Sequence, residues 1–450
     1  MKYENRYQEL DPILTHPIQV SRFNNPQIIH FNHSLATKLE LSGESQEDLS
    51  YGKNHQGWAM AYSGHQFGHF NPTLGDGRAA LIGYTSSNRQ TFELQLKGSG
   101  RTPFSRGGDG KSEFGPAIRE YLVSEYMGNL GIPTTRSLSL VLSGEEVYRE
   151  NSRPGGLTTR VSQGHIRVGT FQYLHLHKRP DQIKQLMNMI FDHHFTATRR
   201  DPLSFWKEAA TRQAKLVAQW MACGFIHGVM NTDNMSVIGE TIDYGPCAFM
   251  DKFNWKKVFS SIDRHGRYAY NQQISVAKWN LLRLAETLVG QFQSSQEGLQ
   301  CFENELTWLD TLFDQEYQRK MSEKIGLKNQ YPLVKEFLDY LQEENLDFTL
   351  SFLELQSKQN NLPKTNSYLN FEKKWADQKR DFELMKWSNP SIMARNHHIQ
   401  KAIDLSYQED FSEIDRLYQL YQKPFANNIS LKDKKEPELH EVIKKTYCGT

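Results

Sequence analysis

The chain has 450 residues, of which 38% are hydrophobic and 23% charged, and its formal net charge is +1. This balance is typical of a folded, water-soluble protein, excludes an extensively disordered chain and gives no reason to expect nucleic acid as a partner. No apolar run approaches the roughly 20 residues that cross a bilayer. Four dispersed cysteines without a C-x-x-C pair argue against a zinc ribbon or a disulfide scaffold. We therefore expect a cytoplasmic protein without a membrane segment.

The first half is predicted to be rich in β-structure. Prolines interrupt residues 1–55, which we interpret as an N-terminal extension. A glycine-rich block, Tyr62–Arg78, then precedes a predicted hairpin with strands Ala79–Tyr84 and Thr91–Lys97. Hydrophobic and polar residues alternate in the second strand, which is typical of a half-buried strand and places Lys97 on the polar face.

One helix and further strand character follow. Ala117–Asn129 is predicted to be a helix that buries a single stripe and stops at Gly131. Glu120 belongs to this helix. Thr135–Val147 returns to strand character, and Gly144 is expected at a turn.

The second half is predicted to be mainly helical, with a strong helix over Phe205–Cys223 and helices dominant from Ile274 onward. A β-rich lobe followed by a helical lobe, with the candidate chemistry at their junction, is the plan of a protein kinase. We therefore predict an α+β, protein-kinase-like bilobal fold. Its expected parts are the extension 1–55, a β-rich nucleotide-binding lobe 56–150, a catalytic core 151–273 and a helical C-terminal region 274–450.

The most informative segment runs from His227 to Asn234 and is followed by Asp243-Tyr-Gly. It resembles the kinase pattern H-R-D-L-x-x-x-N, except that the catalytic aspartate is missing and Val229 stands at its position. An isopropyl group accepts no proton. Asn234 and Asp243 offer oxygen ligands of the kind that hold magnesium beside phosphates. Their spacing suits a short hairpin over 235–242.

Several charged residues are candidates for phosphate binding. Lys97 could hold a phosphate with Glu120 as its partner, as in the kinase lysine–glutamate pair, or could be a solvated strand-end residue. Arg160 and Arg167 could converge on phosphates or make two unrelated salt bridges. The segment Gly75-Asp-Gly-Arg could bring backbone N–H groups to an anion, with its arginine as a further donor.

Two further features are ambiguous in the sequence. His65 and His69 are four residues apart, which is a metal-ligand spacing on a helix. Their glycine- and proline-rich surroundings do not favour a helix, so we prefer a structural or substrate-orienting role over zinc. The loop at Asp109 and Gly110 could line a nucleotide or form a surface turn.

Several segments together closely resemble the SelO (selenoprotein O) family, pseudokinases that act as protein adenylyltransferases. The resemblance extends from about Phe31 to the C-terminus. It is carried by YSGHQFG at 62–68, GDGR at 75–78, LKGSGRTPFSR at 96–106, IREYL at 118–122, TRVS at 159–162, NTDNMS at 231–236 and DYGP at 243–246. The resemblance implies a kinase-like fold that binds ATP in a flipped orientation. The α-phosphate then faces the acceptor hydroxyl, and AMP is transferred while diphosphate leaves.

The same resemblance implies roles for single residues. Asp233 would accept the proton of the acceptor hydroxyl, which removes the difficulty raised by Val229. Asn234 and Asp243 would hold Mg²⁺, for which Mn²⁺ could substitute. The residues expected to contact the nucleotide or its phosphates are Gly75, Gly77, Arg78, Lys97 paired with Glu120, Asp109, Gly110, Arg160, Arg167 and Asp243.

The resemblance also implies a regulatory disulfide that involves Cys448, close to the C-terminus. None of the other cysteines sits in a motif that identifies the partner. Cys247 is our hypothesis, because it lies just past the predicted metal turn, where an activation segment would move.

We predict a protein adenylyltransferase that uses ATP to modify Ser, Thr or Tyr hydroxyls of proteins, acts as a monomer and has redox-related proteins as candidate acceptors. Two alternatives stay open. One is a catalytically silent ATP-binding pseudokinase that acts as a scaffold. The other is an ordinary protein phosphotransferase with Asp233 as its base.

Overall fold

The computed structural model describes residues 1–53, 56–357 and 360–447. The strands are β1 Thr15–Gln19, β2 Gln27–Phe31, β3 Gln56–Met60, β4 Gly64–Gln66, β5 His69–Asn71, β6 Ala79–Ser87, β7 Gln90–Lys97, β8 Ser112–Glu113, β9 Arg136–Tyr148, β10 Ser152–Ser162, β11 Phe225–Ile226 and β12 Ala248–Phe249. The α-helices are α1 His33–Lys38, α2 Gln46–Tyr51, α3 Phe114–Asn129, α4 Val168–Leu176, α5 Pro180–His193, α6 Pro202–Ala222, α7 Gln273–Leu288, α8 Ser295–Glu303, α9 Leu306–Lys324, α10 Tyr331–Glu343, α11 Phe348–Glu354, α12 Asn366–Ala376, α13 Phe382–Ser388, α14 Asn396–Ser406, α15 Ser412–Tyr421 and α16 Leu431–Lys434. The predicted α+β class is confirmed.

The main sheet is antiparallel, and within the described ranges its strands lie in the order β1-β3-β6-β7-β10-β9-β2, with β8 paired to β10. β1 and β2, from the segment interpreted as an extension, thus form its two edges. One face packs against α1 and α2, in a core that includes Leu94 and Leu96 of β7. On the other side, α3 packs against β9 and β10 and joins the large core that continues into the helices.

The predicted hairpin is present, but its strands are longer than expected and both faces of the second strand are buried. β6 and β7 continue to a tight turn at Asn88 and Arg89, whose φ angles are 50° and 65°. Glu93, Gln95 and Lys97, on the predicted polar face, are 1%, 0% and 8% exposed. The prediction of a half-buried strand was wrong, because internal ion pairs and hydrogen bonds replace water on this face.

Helix α3 begins at Phe114 rather than at Ala117 and is buried on almost all sides. β9 and β10 cover one side of it, and α14 and α15 cover another. The prediction of one buried stripe was therefore wrong. The second covering comes from helices almost 300 residues later in the chain, which the local pattern of apolar residues does not reveal.

Strand β9 continues through Gly144, where a turn was predicted. The pairing with β10 shifts register around this residue, as in a β-bulge. Its φ is 74°, and a Cβ atom there would lie 2.5 Å from the backbone oxygen of Asn25. The glycine therefore serves a bulge and a close approach within a continuous strand.

Residues 235–242, all of them described, do not form the predicted hairpin. Ser236 instead makes an isolated bridge to Arg167, and Thr241 makes one to Thr134. The segment therefore pairs with two other parts of the chain rather than with itself, because these partners satisfy its backbone groups.

The helical part begins with α4 and places the His227 segment after α6. α6 packs against α7 and α9, and Gly224, with a φ of 73°, lets the chain turn from the end of α6 into β11. No helix in the described ranges is both long enough and apolar enough to cross a membrane.

Candidate active site

A cavity of about 810 Å³ opens between the main sheet and the segments that follow α6. The predicted site residues that line it are Gly75, Gly77, Arg78, Asp109, Gly110, Arg160, Arg167, Asp233, Asn234 and Asp243. Lys97 and Glu120 are not lining residues: Lys97 contacts the lining residue Asp243, and Glu120 contacts Lys97 and the lining residue Arg160. Residues far apart in the sequence are thus brought to one place.

Three buried charges and the partly exposed carboxylate of Asp243 form one network at this cavity. Lys97 Nζ lies 2.5 Å from Glu120 Oε2 and 2.7 Å from Asp243 Oδ1. Arg160 contacts both carboxylates as well, with its Nη2 atom 3.2 Å from Asp243 Oδ1. Burial alone would raise the pKa of both carboxyl groups, but Lys97 and Arg160 outweigh it, so the pKa of Glu120 is lowered and that of Asp243 lies well below its ordinary value. Both carboxylates are therefore ionised at neutral pH.

The contact expected between Lys97 and Glu120 is thus present. The sequence did not indicate that Asp243 and Arg160 would join it. The network links the end of β7, the middle of α3 and strand β10 to Asp243, in the segment that follows Asn234. Each positive charge touches both negative ones, so none of the four is left uncompensated in the interior.

Asp76 is a buried carboxylate at the cavity that the sequence analysis did not single out. Its Oδ1 atom accepts from Tyr62 at 3.1 Å and lies 3.4 Å from Arg167 Nη2, while its Oδ2 accepts from Gln95 at 2.9 Å. Arg167 also stacks on the ring of Tyr62 and donates to the backbone oxygen of Asp233 at 3.0 Å. The available signal was an acidic residue between two glycines just before a strand.

Arg160 and Arg167 both reach the cavity, and each also has its own carboxylate partner. Arg160 pairs with Glu120 and Asp243, whereas Arg167 pairs with Asp76. The salt bridges that were one of the two interpretations are therefore present, and phosphate binding stays a prediction. The arginines form separate ion pairs, and their guanidinium groups line the same cavity.

Asp233 lies in a 3-10 turn, Thr232–Asn234, in the wall of the cavity. Its Oδ2 atom is 3.5 Å from Gln66 Nε2, and its buried Oδ1 atom has no hydrogen-bond partner among the described residues. Burial raises the pKa of Asp233 to about 6. The unpartnered Oδ1 atom lies against Gly64 of β4, and a buried carboxylate oxygen without a hydrogen bond is uncommon in folded proteins.

The hairpin of β4 and β5 holds the turn Thr232–Asn234 from outside. The backbone N–H of His65 donates to Thr232 Oγ1 at 2.7 Å, and Thr232 donates to Gln172 Oε1 at 2.7 Å. Gln172 Nε2 lies 2.9 Å from His65 Nδ1 and closes the ring. His65 is therefore part of a hydrogen-bonded support for the turn, on a strand rather than on a helix.

Asn234 and Asp243 are the residues that could hold a divalent cation. Asn234 Nδ2 donates to the backbone oxygen of Val229 at 3.1 Å, which orients the amide and leaves its oxygen for a ligand. Asp243 is ionised, as a metal ligand must be. The described residues contain no cluster of three or more His, Cys, Asp or Glu side chains suited to a metal. A cation held here would complete its shell with phosphate and water oxygens.

The two glycine-rich predictions concern the shape of the cavity. Gly75 has a φ of 62°, and a Cβ atom there would lie 2.1 Å from the ring of Phe104. Asp109 lines the cavity, but Arg149 holds its carboxylate through two hydrogen bonds of 2.8 and 2.9 Å. These bonds lower the pKa of Asp109 to about 2. Its charge is thus already neutralised by an arginine that the sequence analysis did not identify.

Of the two cysteines in the disulfide hypothesis, Cys448 lies outside the described residues. Cys247 is buried. Thr446 Oγ1 donates to the backbone oxygen of Pro246 at 2.5 Å, and its N–H donates to the backbone oxygen of Phe259 at 2.8 Å. The chain just before Cys448 therefore lies beside the residue that precedes Cys247.

The chain is similar to known proteins over its whole length. A family model described as "Protein adenylyltransferase SelO" matches residues 1–419. Three relatives carry the name "Protein nucleotidyltransferase YdiU". The proteins of Bacillus cytotoxicus, Pelagibacter ubique and Maridesulfovibrio salexigens are 39%, 38% and 40% identical to this chain. Each alignment covers 100% of this chain, and the three alignments cover 97%, 99% and 98% of the relatives, in the same order.

Identity at this level along both chains places the protein in one class of enzyme, the nucleotidyltransferases. Within that class the chain belongs to the SelO family, since the family model covers most of its residues.

Proposed function

We propose that the chain transfers AMP from ATP to Ser, Thr or Tyr hydroxyls of proteins and releases diphosphate, in a protein-kinase-like bilobal fold. The observation that carries this proposal is the composition of the catalytic loop. Val229 occupies the kinase base position, while Asp233, with its unpartnered buried oxygen, stands beside Asn234. The family description supports an adenylyl group as the group transferred, and the names of the family and of the relatives support a protein as acceptor.

The proposed reaction is a single displacement at the α-phosphorus of ATP. The acceptor oxygen bonds to that phosphorus while the bond to the bridging oxygen breaks, and diphosphate leaves with the electron pair. The acceptor proton goes to the carboxylate of Asp233, which lines the cavity. Because its pKa is about 6, Asp233 is ionised at neutral pH and well matched to this transfer. Gln66 and Arg167 hold the residue in position through its Oδ2 atom and its backbone oxygen.

Positive charge around the cavity is proposed to bind the phosphates. Arg78, Arg160 and Arg167 line the cavity, and Lys97 lies behind Asp243. Guanidinium groups fixed by internal carboxylates need little reorganisation when charge builds up on the leaving diphosphate. Gly75 and Gly77 keep side chains out of the space that the nucleotide would enter.

Asn234 and Asp243 are proposed to hold Mg²⁺ or Mn²⁺ together with the nucleotide. Such a cation supplies positive charge to phosphate oxygens as the leaving group separates. The residues contribute an oriented amide oxygen and an ionised carboxylate.

We further propose that ATP lies reversed relative to a kinase, with its α-phosphate nearest Asp233. The reversal is implied by the family resemblance. It is supported by the place of the carboxylate in the loop, which is next to Asn234 instead of at position 229.

We also propose that Cys247 and Cys448 form a disulfide that locks the enzyme. Two thiols would give up two protons and two electrons to an external oxidant. The support is the position of Thr446, whose side chain is hydrogen bonded to Pro246, next to Cys247.

Product analysis tests the proposed function. Purified protein is incubated with ATP, Mg²⁺ and a mixture of cell proteins, and the nucleotides are separated by ion exchange. We expect diphosphate in the same amount as protein-bound AMP. ADP with phosphoprotein would instead identify a phosphotransferase, and ATP binding without either product would identify a scaffold.

A further inference from the structure

We infer that a basic groove beside the active site binds an acidic segment of the acceptor polypeptide; this inference rests on the proposed function. The groove has a volume of about 700 Å³ and lies between the β4–β5 turn, the loop 262–267 and the first half of α7. Its principal lining residues are Phe67, Ile262, Arg264, Arg267, Val276 and Trp279. We call it the acceptor groove.

The acceptor groove adjoins the nucleotide cavity and shares part of its lining. Phe67 and Ile262 line both the groove and the nucleotide cavity. The backbone N–H of Phe67 donates to Asn231 Oδ1 at 3.3 Å, two residues before Asp233, and the preceding side chain, Gln66, contacts Asp233 itself. A polypeptide bound in the groove can therefore extend past Phe67 and place a hydroxyl beside Asp233.

The wall between the two cavities is fixed in an unusual conformation. Phe67 and Gly68 have φ angles of 52° and 87°, a left-handed region that phenylalanine rarely adopts. Tyr268 holds this turn, because its hydroxyl is 3.1 Å from the N–H of Phe67 and donates to Asn231 Oδ1 at 2.6 Å. The wall is therefore tied directly to the catalytic loop.

Two arginines flank Trp279, and of these Arg267 lines the groove while Arg283 lies next to it on α7. The guanidinium groups of Arg267 and Arg283 each lie 4.8 Å from the ring of Trp279. Stacking fixes these groups in place and leaves the edges of the guanidinium planes for a ligand. Arg283 has a carboxylate partner, Glu286, at 2.7 Å.

Arg264 and Arg267 have no such partner. Neither forms an ion pair with any described residue, and the buried Nε atom of Arg267 has no hydrogen-bond partner among them. Asp263 is the one acidic residue among the described lining residues. Its two oxygens accept from the backbone N–H groups of Arg267 at 3.0 Å and Tyr268 at 2.9 Å, so its carboxylate is turned into the loop.

The chemistry of the groove therefore fits a carboxylate-bearing polypeptide. Arginine forks match carboxylates in shape and charge. The exposed side chain of Ile262, 58% accessible, and the ring of Phe67 add apolar surface for the neighbouring residues of such a segment. Since charge pairing at a partly exposed surface acts mainly on association, we expect a preference among acceptors rather than a requirement.

Three peptide libraries test the inference. Each has one central Ser, Thr or Tyr, and the flanking positions are mixtures of Asp and Glu, of Asn and Gln, or of Lys and Arg. Label from α-labelled ATP is measured on each library under initial-rate conditions. For the natural chain we expect the acidic library to be labelled about tenfold faster than the neutral one and the basic library to be the slowest. Added salt should reduce the preference.

Variants of the groove assign the preference. In Arg264→Ala/Arg267→Ala the acidic-to-neutral ratio should fall to within about twofold of unity, while Arg264→Lys/Arg267→Lys should keep most of it, because charge is retained. Arg264→Glu alone changes an exposed side chain and should favour the basic library. Arg199→Ala, an exposed arginine far from the groove in sequence, is the matched control and should keep the natural ratio. ATP affinity and melting temperature confirm that each variant is folded.

Equal labelling of the acidic and neutral libraries, or an unchanged ratio in the double alanine variant, would overturn the inference and leave the proposed function standing. Label on cell proteins but on none of the libraries would also overturn it. Absence of α-label from cell proteins and libraries alike would instead remove the proposed function on which it rests.

Discussion

Asp243 is the residue whose contacts leave the least room for a substitution. It is paired with Lys97 and Arg160 and is placed in the same cavity as Asp233 and Asn234. Its negative charge is stabilised so strongly that it persists throughout the physiological pH range. A residue that is both a partner of two internal cations and a candidate metal ligand should tolerate almost no change.

The substitution Asp243→Asn keeps the size of the side chain and removes its charge. We expect AMP transfer to fall by at least about a thousandfold, because a cation ligand is weakened and two buried cations lose a partner. The measurement is the initial rate of transfer at saturating ATP and Mg²⁺.

The matched control for this substitution is Asp347→Asn. Asp347, like Asp243, is an aspartate paired with an arginine, here Arg395 at 2.8 Å, but it does not line the nucleotide cavity. It should lower the melting temperature and leave transfer by the folded protein within about threefold of normal. Undiminished transfer in Asp243→Asn would remove Asp243 from the proposed metal site.

A second residue predicts how stability changes with pH. Burial raises the pKa of Glu240 to about 7, although Ser162 and Gln163 donate hydrogen bonds to its carboxylate. Because the folded-state pKa is above the unfolded value, the stabilising contribution is complete below about pH 4 and is lost as the pH rises through 7. In Glu240→Gln this loss of about 1 to 2 kcal/mol should be absent, so the variant should be the more stable protein at pH 8.

Urea unfolding of both proteins at pH 5, 6, 7 and 8 measures this effect. Glu303→Gln, on the exposed surface of α8, serves as the control and should follow the natural chain at every pH. Parallel curves for Glu240→Gln and the natural chain would contradict the assignment.

At the level of helices and strands, the sequence predicted what is local and missed what distant segments impose. The hairpin of β6 and β7 and the helix that carries Glu120 follow from short-range patterns. The burial of both faces of β7 and the covering of α3 do not, because their partners lie far away in the chain. Residues 235–242 pair with two other segments for the same reason.

In the candidate site, too, local features were predicted and contacts between distant segments were missed. The loop from His227 to Asn234 was recognisable because its residues are close together. Asp76 and the pairing of Asp109 with Arg149 became visible only through contacts between segments. Residue types and spacing therefore indicate which groups lie at the candidate site. The tertiary contacts determine which of their charges are already paired within the protein.

The close approach of β4 to the turn Thr232–Asn234 gives a test of element packing. A Cβ atom on Gly64 would lie 2.5 Å from Asp233 Oδ1 and 2.8 Å from the side chain of Leu74. Gly64→Ala should therefore displace Asp233 and reduce the rate of AMP transfer by about a hundredfold or more. ATP affinity should change far less, because Gly64 does not line the nucleotide cavity.

Gly43→Ala is the corresponding control, since nothing lies within 4 Å of a Cβ atom placed there. It should change neither transfer nor stability by a measurable amount. Normal transfer in Gly64→Ala would mean that the position of Asp233 does not limit the reaction.

At the level of the whole molecule, the C-terminal segment packs beside the residues that follow Asp243. Thr446 forms a bridge with Ser260 and is hydrogen bonded to Pro246. We predict that oxidation joins Cys247 to Cys448 and slows AMP transfer, and that a thiol reductant restores the rate. Non-reducing peptide mapping measures the crosslink. Cys301→Ser should retain it and Cys247→Ser should abolish it; a map of the oxidised natural chain without it would refute the pairing.

The central claim is that Asp233 and its neighbours transfer the adenylyl group, not the γ-phosphoryl group, of ATP. The most direct measurement compares protein labelling from α-labelled and γ-labelled ATP, for the natural chain and for Asp233→Asn. We expect label on protein from the α-position alone, and its loss in Asp233→Asn with ATP affinity retained. Label from the γ-position, or α-label that survives Asp233→Asn at the natural rate, would contradict the account.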